Sequence, residues 1–289
     1  MRFHYAESMT TVANYLPLAR AAEEMGFAGF TIPDSLIYPK ASDTSYSYTQ
    51  DGGREFLENK PFVESFVLAA AIGAATTRLE LTTNVVKLPV RPPLYSAKLA
   101  ASVAAITGDR FNLGVGLSVW PEDYAAMGVD YARRGKRFDE CLEIVKGLCG
   151  GGYFEFHGEF YDIPPVKLNP VPTKPLPILI GGHSAAAFKR AAHFDGFMFA
   201  GGGPDELAGP IAEIRKARDE AGTAGKPFRI FATAMGDFSA DTIGRLEALG
   251  VTDMPVAFRN LYAVEEDTQP LAEKIDAMKR FADSVIAKV

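Results

Sequence analysis

Short apolar runs alternate with longer stretches of helical spacing along the whole chain. The apolar runs lie at about 2–6, 28–33, 79–86, 110–116, 176–181, 195–200, 228–234 and 252–257, and their length reads as buried strands. A helical pattern follows each one, at about 11–25, 61–75, 93–106, 133–149, 184–193, 204–222, 239–248 and 268–287. In the first helix Val12, Leu16, Ala19 and Ala22 share a face; in the fourth, Phe138, Cys141, Leu142, Val145 and Leu148 do. Pro61 suits a first helical turn, and Asp205, Glu206 and Asp241 place negative charge near helix N-termini. Gly26 and Gly250 stand where C-terminal caps are expected.

Eight successive strand–helix units predict a (β/α)8 TIM barrel, with residues 1–289 as a single domain. A doubly wound sheet is the alternative, but it does not call for eight near-equal units. Two insertions break the rhythm. Residues 35–60, after strand two, are rich in Tyr, Ser, Asp and Gly, and they lie at the strand end where barrel active sites are built. Residues 150–175, before strand five, read as a hairpin through Tyr153 to Tyr161 followed by a proline-rich passage. That insertion enters from the N-terminal face and is expected to be structural or an interface.

Composition narrows the classes. The 289 residues carry a net charge of −6 and no basic run, which argues against a nucleic-acid partner. Cys141 and Cys149 share one predicted helix without CxxC spacing, so they are expected to be reduced thiols with no metal role. The start, Met1 to Tyr5, has no signal-peptide core, and the longest apolar run, Phe66 to Ala75, is too short to span a bilayer. A cytoplasmic protein without a membrane partner is expected.

Chemistry is sought at the C-terminal ends of the strands. His4 is a candidate there, or else a barrel-interior histidine. Asp34 is a candidate base, or else a cap for a loop amide. Gly114-Val115-Gly116 lacks the third glycine of a dinucleotide fingerprint, and His157 with Glu159 lacks the cysteine pair of a zinc deaminase. Pro177-Ile178-Leu179-Ile180-Gly181-Gly182-His183-Ser184 is more informative. It reads as a buried strand, a glycine pair, then Ser184 as the N-cap of a helix. Such a turn either cradles an anion or is simply tight. Small polar residues and glycines without strong acids or bases suit a cofactor that brings its own chemistry.

Several segments, in this order, carry a family resemblance. They are Ala19 to Phe27, Asp34 at the end of strand two, Arg110 to Gly116, Arg134 to Glu140, and Pro177 to Gly182. Over nearly its whole length the chain resembles the luciferase-like monooxygenase family, in its branch of deazaflavin-dependent oxidoreductases. The resemblance implies coenzyme F420, or alternatively FMN, at the C-terminal mouth of the barrel. It implies a non-prolyl cis bond at Asn84–Val85 behind the coenzyme ring. Gly181, Gly182, His183 and Ser184 would hold the phosphate, with Gly116 and Ser118 also facing the coenzyme. Asp34, Ser35 and His4 are the catalytic candidates.

Two departures are instructive. Ser35 stands where many deazaflavin-dependent members have histidine, and Val119 stands near the position of the glutamate of the family's sugar-phosphate dehydrogenases. Trp120 and Tyr124, with Leu36, Tyr38, Tyr46 and Tyr48, suggest an apolar, aromatic substrate pocket instead. Lys87 and Arg91 are read as contacts for an acidic coenzyme tail or as solvated charges. The expected function is hydride transfer between the deazaflavin and an apolar small molecule. The alternatives are an FMN-dependent monooxygenase served by a flavin reductase, and a flavin-binding barrel without turnover. The family also implies a homodimer.

Overall fold

Every strand of the main sheet pairs in parallel, and the sheet closes on itself. The computed structural model describes residues 1–46, 49, 52–233 and 236–288. The strands are β1 (Arg2–Ala6), β2 (Gly29–Ile32), β3 (Glu80–Thr83), β4 (Val86–Lys87), β5 (Phe111–Gly116), β6 (Phe154–His157), β7 (Asp162–Val166), β8 (Ile178–Gly181), β9 (Gly196–Met198), β10 (Arg229–Phe231) and β11 (Asp253–Val256). Their order in the sheet is β3-β2-β1-β11-β10-β9-β8-β5, and pairing of β3 with β5 completes the barrel. β5 is buried at every position, as expected for a parallel strand covered on both faces.

The outer ring is formed by α1 (Tyr15–Glu24), α2 (Ser65–Ala75), α3 (Pro93–Thr107), α4 (Pro121–Ala126), α5 (Arg134–Cys149), α6 (Ala185–Ala191), α7 (Pro204–Glu220), α8 (Ala240–Ala248) and α9 (Leu271–Ser284). The expected (β/α)8 barrel is therefore observed. Among the described residues, no helix is long and apolar enough to cross a membrane.

Three local expectations need correction. The expected strand 79–86 is two pieces, because the chain breaks pairing at Asn84 and resumes as β4. The second helix begins at Ser65, not Pro61. The Glu64 carboxylate accepts from the amides of Phe66 and Val67 at 2.8 and 3.0 Å, which fixes the helix start there. Helix α4, in the loop after β5, was not expected.

The second insertion is a hairpin, as read, although its antiparallel strands β6 and β7 reach from Phe154 to Val166. Its tip is tied to α5, where Glu140 accepts from the amides of Glu159, Phe160 and Tyr161.

His4 belongs to the floor of the barrel. It is fully buried, its Nε2 lies 2.7 Å from Asp253 Oδ1, and Arg229 and Glu80 complete the cluster. No part of it lines the mouth. The catalytic reading of His4 therefore gives way to the interior one. Burial lowers the His4 pKa below its usual 6.5, although Asp253 pulls the other way. The unfolded chain then binds the proton more readily than the folded one. Stability from this site is present above pH ~6.5 and is lost as pH falls, by up to about 1.4 kcal/mol per pH unit. Urea denaturation of His4→Gln should show a flatter stability profile between about pH 7 and 5 than wild type; identical slopes would refute the assignment.

Candidate functional site at the barrel mouth

A cavity of about 840 Å³ opens at the C-terminal ends of the strands. Its walls come from the loops after β1, β2, β5, β8, β9, β10 and β11 together with the β3–β4 junction. This is the face on which barrel enzymes place their chemistry.

Val85 lies where the barrel core meets the cavity. It packs on the small interior cluster of Leu179, Met198 and Phe231, and it also lines the cavity. The Asn84–Val85 peptide bond is cis, as the family resemblance implies. Two glycines make room for this side chain. A Cβ on Gly116 would lie 2.8 Å from Val85 Cγ2, and one on Gly181 would lie 3.0 Å from Cγ1. Gly116 does not itself line the cavity, so it reaches a ligand only through Val85.

The glycine pair after β8 is at the rim. Gly181, Gly182 and His183 line the cavity, and Gly182 has φ +150°, a conformation that disfavours a side chain. Ser184 caps α6 as expected, its Oγ accepting from the Ala187 amide at 3.3 Å, but it does not line the cavity.

An aromatic wall also lines the cavity. Tyr46 and Trp120 stack with centroids 5.6 Å apart and planes 3° from parallel. Phe56 packs on Tyr46 at 5.3 Å and on Tyr262 at 5.2 Å. These four rings join the insertion after β2 to the loops after β5 and β11, and all four line the cavity. The expectation of an aromatic pocket thus meets Trp120 and Tyr46 there. Leu36, Tyr38 and Tyr124 do not line it. Tyr38 lies under the Arg54 guanidinium, and Tyr124 is buried in α4 edge-on to Tyr131. Tyr48 lies outside the described residues.

The charged groups at the mouth are paired. Asp34 borders the cavity, but its side chain is 2% exposed and accepts from Arg91 Nη1 and Nη2, Ser65 Oγ and the Lys87 amide. Burial alone would raise its pKa, yet the Arg91 charge and these donors hold it below the usual carboxylate value. A carboxylate so occupied is an anchor for the β4 segment, not a poised base. Ser35 lines the cavity beside it. Arg91 is 7% exposed, so its reading as a tail contact or solvated charge is corrected: its charge is spent on Asp34.

A second network was not foreseen. Glu7, 3% exposed and lining the cavity, accepts from Tyr5 OH, the Ser8 amide, Arg259 Nε and Lys274 Nζ. Lys274 also pairs with Asp267 at 2.8 Å, which ties α9 to the mouth. The legible signal was position: Glu7 directly follows β1.

Comparisons with known proteins agree with this architecture. Residues 2–242 match the family model for luciferase-like monooxygenase. An uncharacterized protein of Mycobacterium tuberculosis is 56% identical over 289 residues, all of both chains. The monooxygenase RslO1 from Streptomyces bottropensis superposes with a TM-score of 0.77 at 19% identity, over 100% of this chain and 99% of that one. The coenzyme F420-dependent tetrahydromethanopterin reductase from Methanopyrus kandleri gives 0.75 at 14% identity, over 99% of each. The chain belongs to the luciferase-like monooxygenase family.

Proposed function

We propose that this chain is an oxidoreductase that binds coenzyme F420 at the barrel mouth and exchanges a hydride with an apolar small molecule. The observation that carries the reading is the cavity floored by Val85, with Gly116 and Gly181 making room beneath and beside it and the Gly181–His183 turn at the rim. An aliphatic shelf suits the flat face of a tricyclic ring, and a glycine turn lets backbone amides approach a phosphate. The coenzyme, when bound, supplies the redox chemistry. The chain's own groups hold the ring on Val85, exclude water with the Tyr46–Trp120–Phe56–Tyr262 wall, and leave Ser35, Asn84 and Ser118 as polar contacts.

An FMN-dependent monooxygenase with a separate reductase is the second reading. One observation favours it: Lys87 and Arg259, the lysine and arginine of the described lining, each already have a carboxylate partner. That offers little to a polyanionic tail. Calorimetric titration with both coenzymes decides. F420 binding at least tenfold tighter than FMN is expected; submicromolar FMN with oxygen-dependent turnover, and F420 no better than millimolar, would establish the second reading. The proposed assembly is a homodimer, supported by Val67, Tyr95 and Ile106 exposed on the outer faces of α2 and α3. A cytoplasmic location belongs to the same reading, supported by two buried free thiols, Cys141 and Cys149.

A further inference from the structure

We propose that the Lys87 ammonium anchors a carbonyl oxygen of the small molecule held against the aromatic wall, with Asp123 as the positioning residue that aims it. This rests on the reading of the cavity as a substrate site and names the chemistry that site selects. Pairing of β4 with β5 sets Lys87 opposite Gly116, beside the Val85 shelf. From there its side chain, 13% exposed, lines the cavity. Its Nζ donates to Asp123 Oδ2 at 2.8 Å and has no second partner among the described residues. An ammonium carries three donors, so two remain to offer.

Asp123 is 1% exposed, on α4, and its Oδ2 also accepts from Ser118 Oγ. Ser118 Oγ in turn accepts from the Trp120 amide at 3.1 Å. One buried carboxylate therefore fixes both the ammonium and the loop that carries the indole. A ligand stacked on that wall meets the ammonium at a set distance.

The other charged groups at the mouth are spoken for. Glu7 and Asp34 each carry four donors, and Arg259 is bound to Glu7 and to the Ser8 carbonyl. Because Lys87 and Asp123 form a neutral pair, a dipolar acceptor fits better than a full anion, which would face the Asp123 charge as well. An aromatic or aryl-alkyl ketone or aldehyde is the ligand class.

The test uses acetophenone and ethylbenzene, which differ by C=O against CH2, with benzoate as the anionic arm. Calorimetric titrations are run on the coenzyme-free chain and on the chain saturated with whichever coenzyme binds it. Lys87→Met should weaken acetophenone about tenfold, the scale of a hydrogen bond to a charged donor, and leave ethylbenzene unchanged. Because Lys87→Met strands the Asp123 carboxylate, the double variant Lys87→Met/Asp123→Asn is measured too and should show the same ketone-specific loss. Asp123→Asn alone should weaken acetophenone selectively, whereas mere loss of structure would weaken both ligands. Equal losses for both ligands, or none for either, overturn the proposal. Benzoate binding tighter than acetophenone and abolished in Lys87→Met overturns the carbonyl assignment. If neither coenzyme binds and the ketone-specific effect is intact, the coenzyme reading falls and the anchor stands.

Discussion

Replacing Gly181 with valine is expected to weaken coenzyme binding roughly 5- to 150-fold while the barrel stays folded. A Cβ at this position would lie 3.0 and 3.3 Å from the two methyls of Val85. The branched methyls of valine would demand still more space. Val85 cannot retreat into the core, because Leu179, Met198 and Phe231 already fill the layer below it. It must shift toward the cavity or tilt, and either move spoils the shelf. Overpacking of this kind costs ~1–3 kcal/mol, which corresponds to ~5- to 150-fold in affinity when the strain is relieved only without ligand. Calorimetry measures the affinity, and circular dichroism melting checks the fold. Unchanged affinity in a folded variant would remove Gly181 and Val85 from the coenzyme site.

Arg91→Met is expected to destabilise the chain by about 3–5 kcal/mol, because it strands a buried carboxylate. Asp34 loses its bidentate partner, and the Lys87 amide and Ser65 hydroxyl cannot replace a full positive charge. The loss is measured by urea denaturation at neutral pH. Asp34→Asn/Arg91→Met should recover much of it, since the amide leaves no unpaired charge. A single variant as stable as wild type would mean that the pair is solvated after all, in conflict with side-chain exposures of 8% and 2%.

The barrel was legible because parallel strands covered on both faces read as apolar runs, and β5 and β8 read most clearly. The turn after β8 was legible in the same way, down to Ser184 as N-cap. Val85 was reached through family resemblance; its apolar run gave no hint that pairing breaks at Asn84. The charged networks were hidden for a physical reason. Glu7 and Lys274 are 267 positions apart, and a lysine on an amphipathic helix reads as solvated, yet Lys274 is 2% exposed. Arg259 and Tyr262 line the cavity from the loop after β11, where no glycine turn or motif marks them in the sequence. Leu36 and Tyr38 went astray because residues 35–60 have no periodicity to orient their side chains. In the same insertion Tyr46 does reach the wall, held flat on Trp120.

The central claim is that the mouth of this barrel is a coenzyme site built on Val85. A crystal structure of the chain with its tighter-binding coenzyme tests it most directly. The account predicts the tricyclic ring lying on the Val85 side chain, the phosphate at the Gly181–Gly182–His183 turn, and the Tyr46–Trp120 wall facing the ring across a space for substrate. A ring bound elsewhere, or a phosphate held by the loops after β10 and β11 with the β8 turn empty, would contradict it.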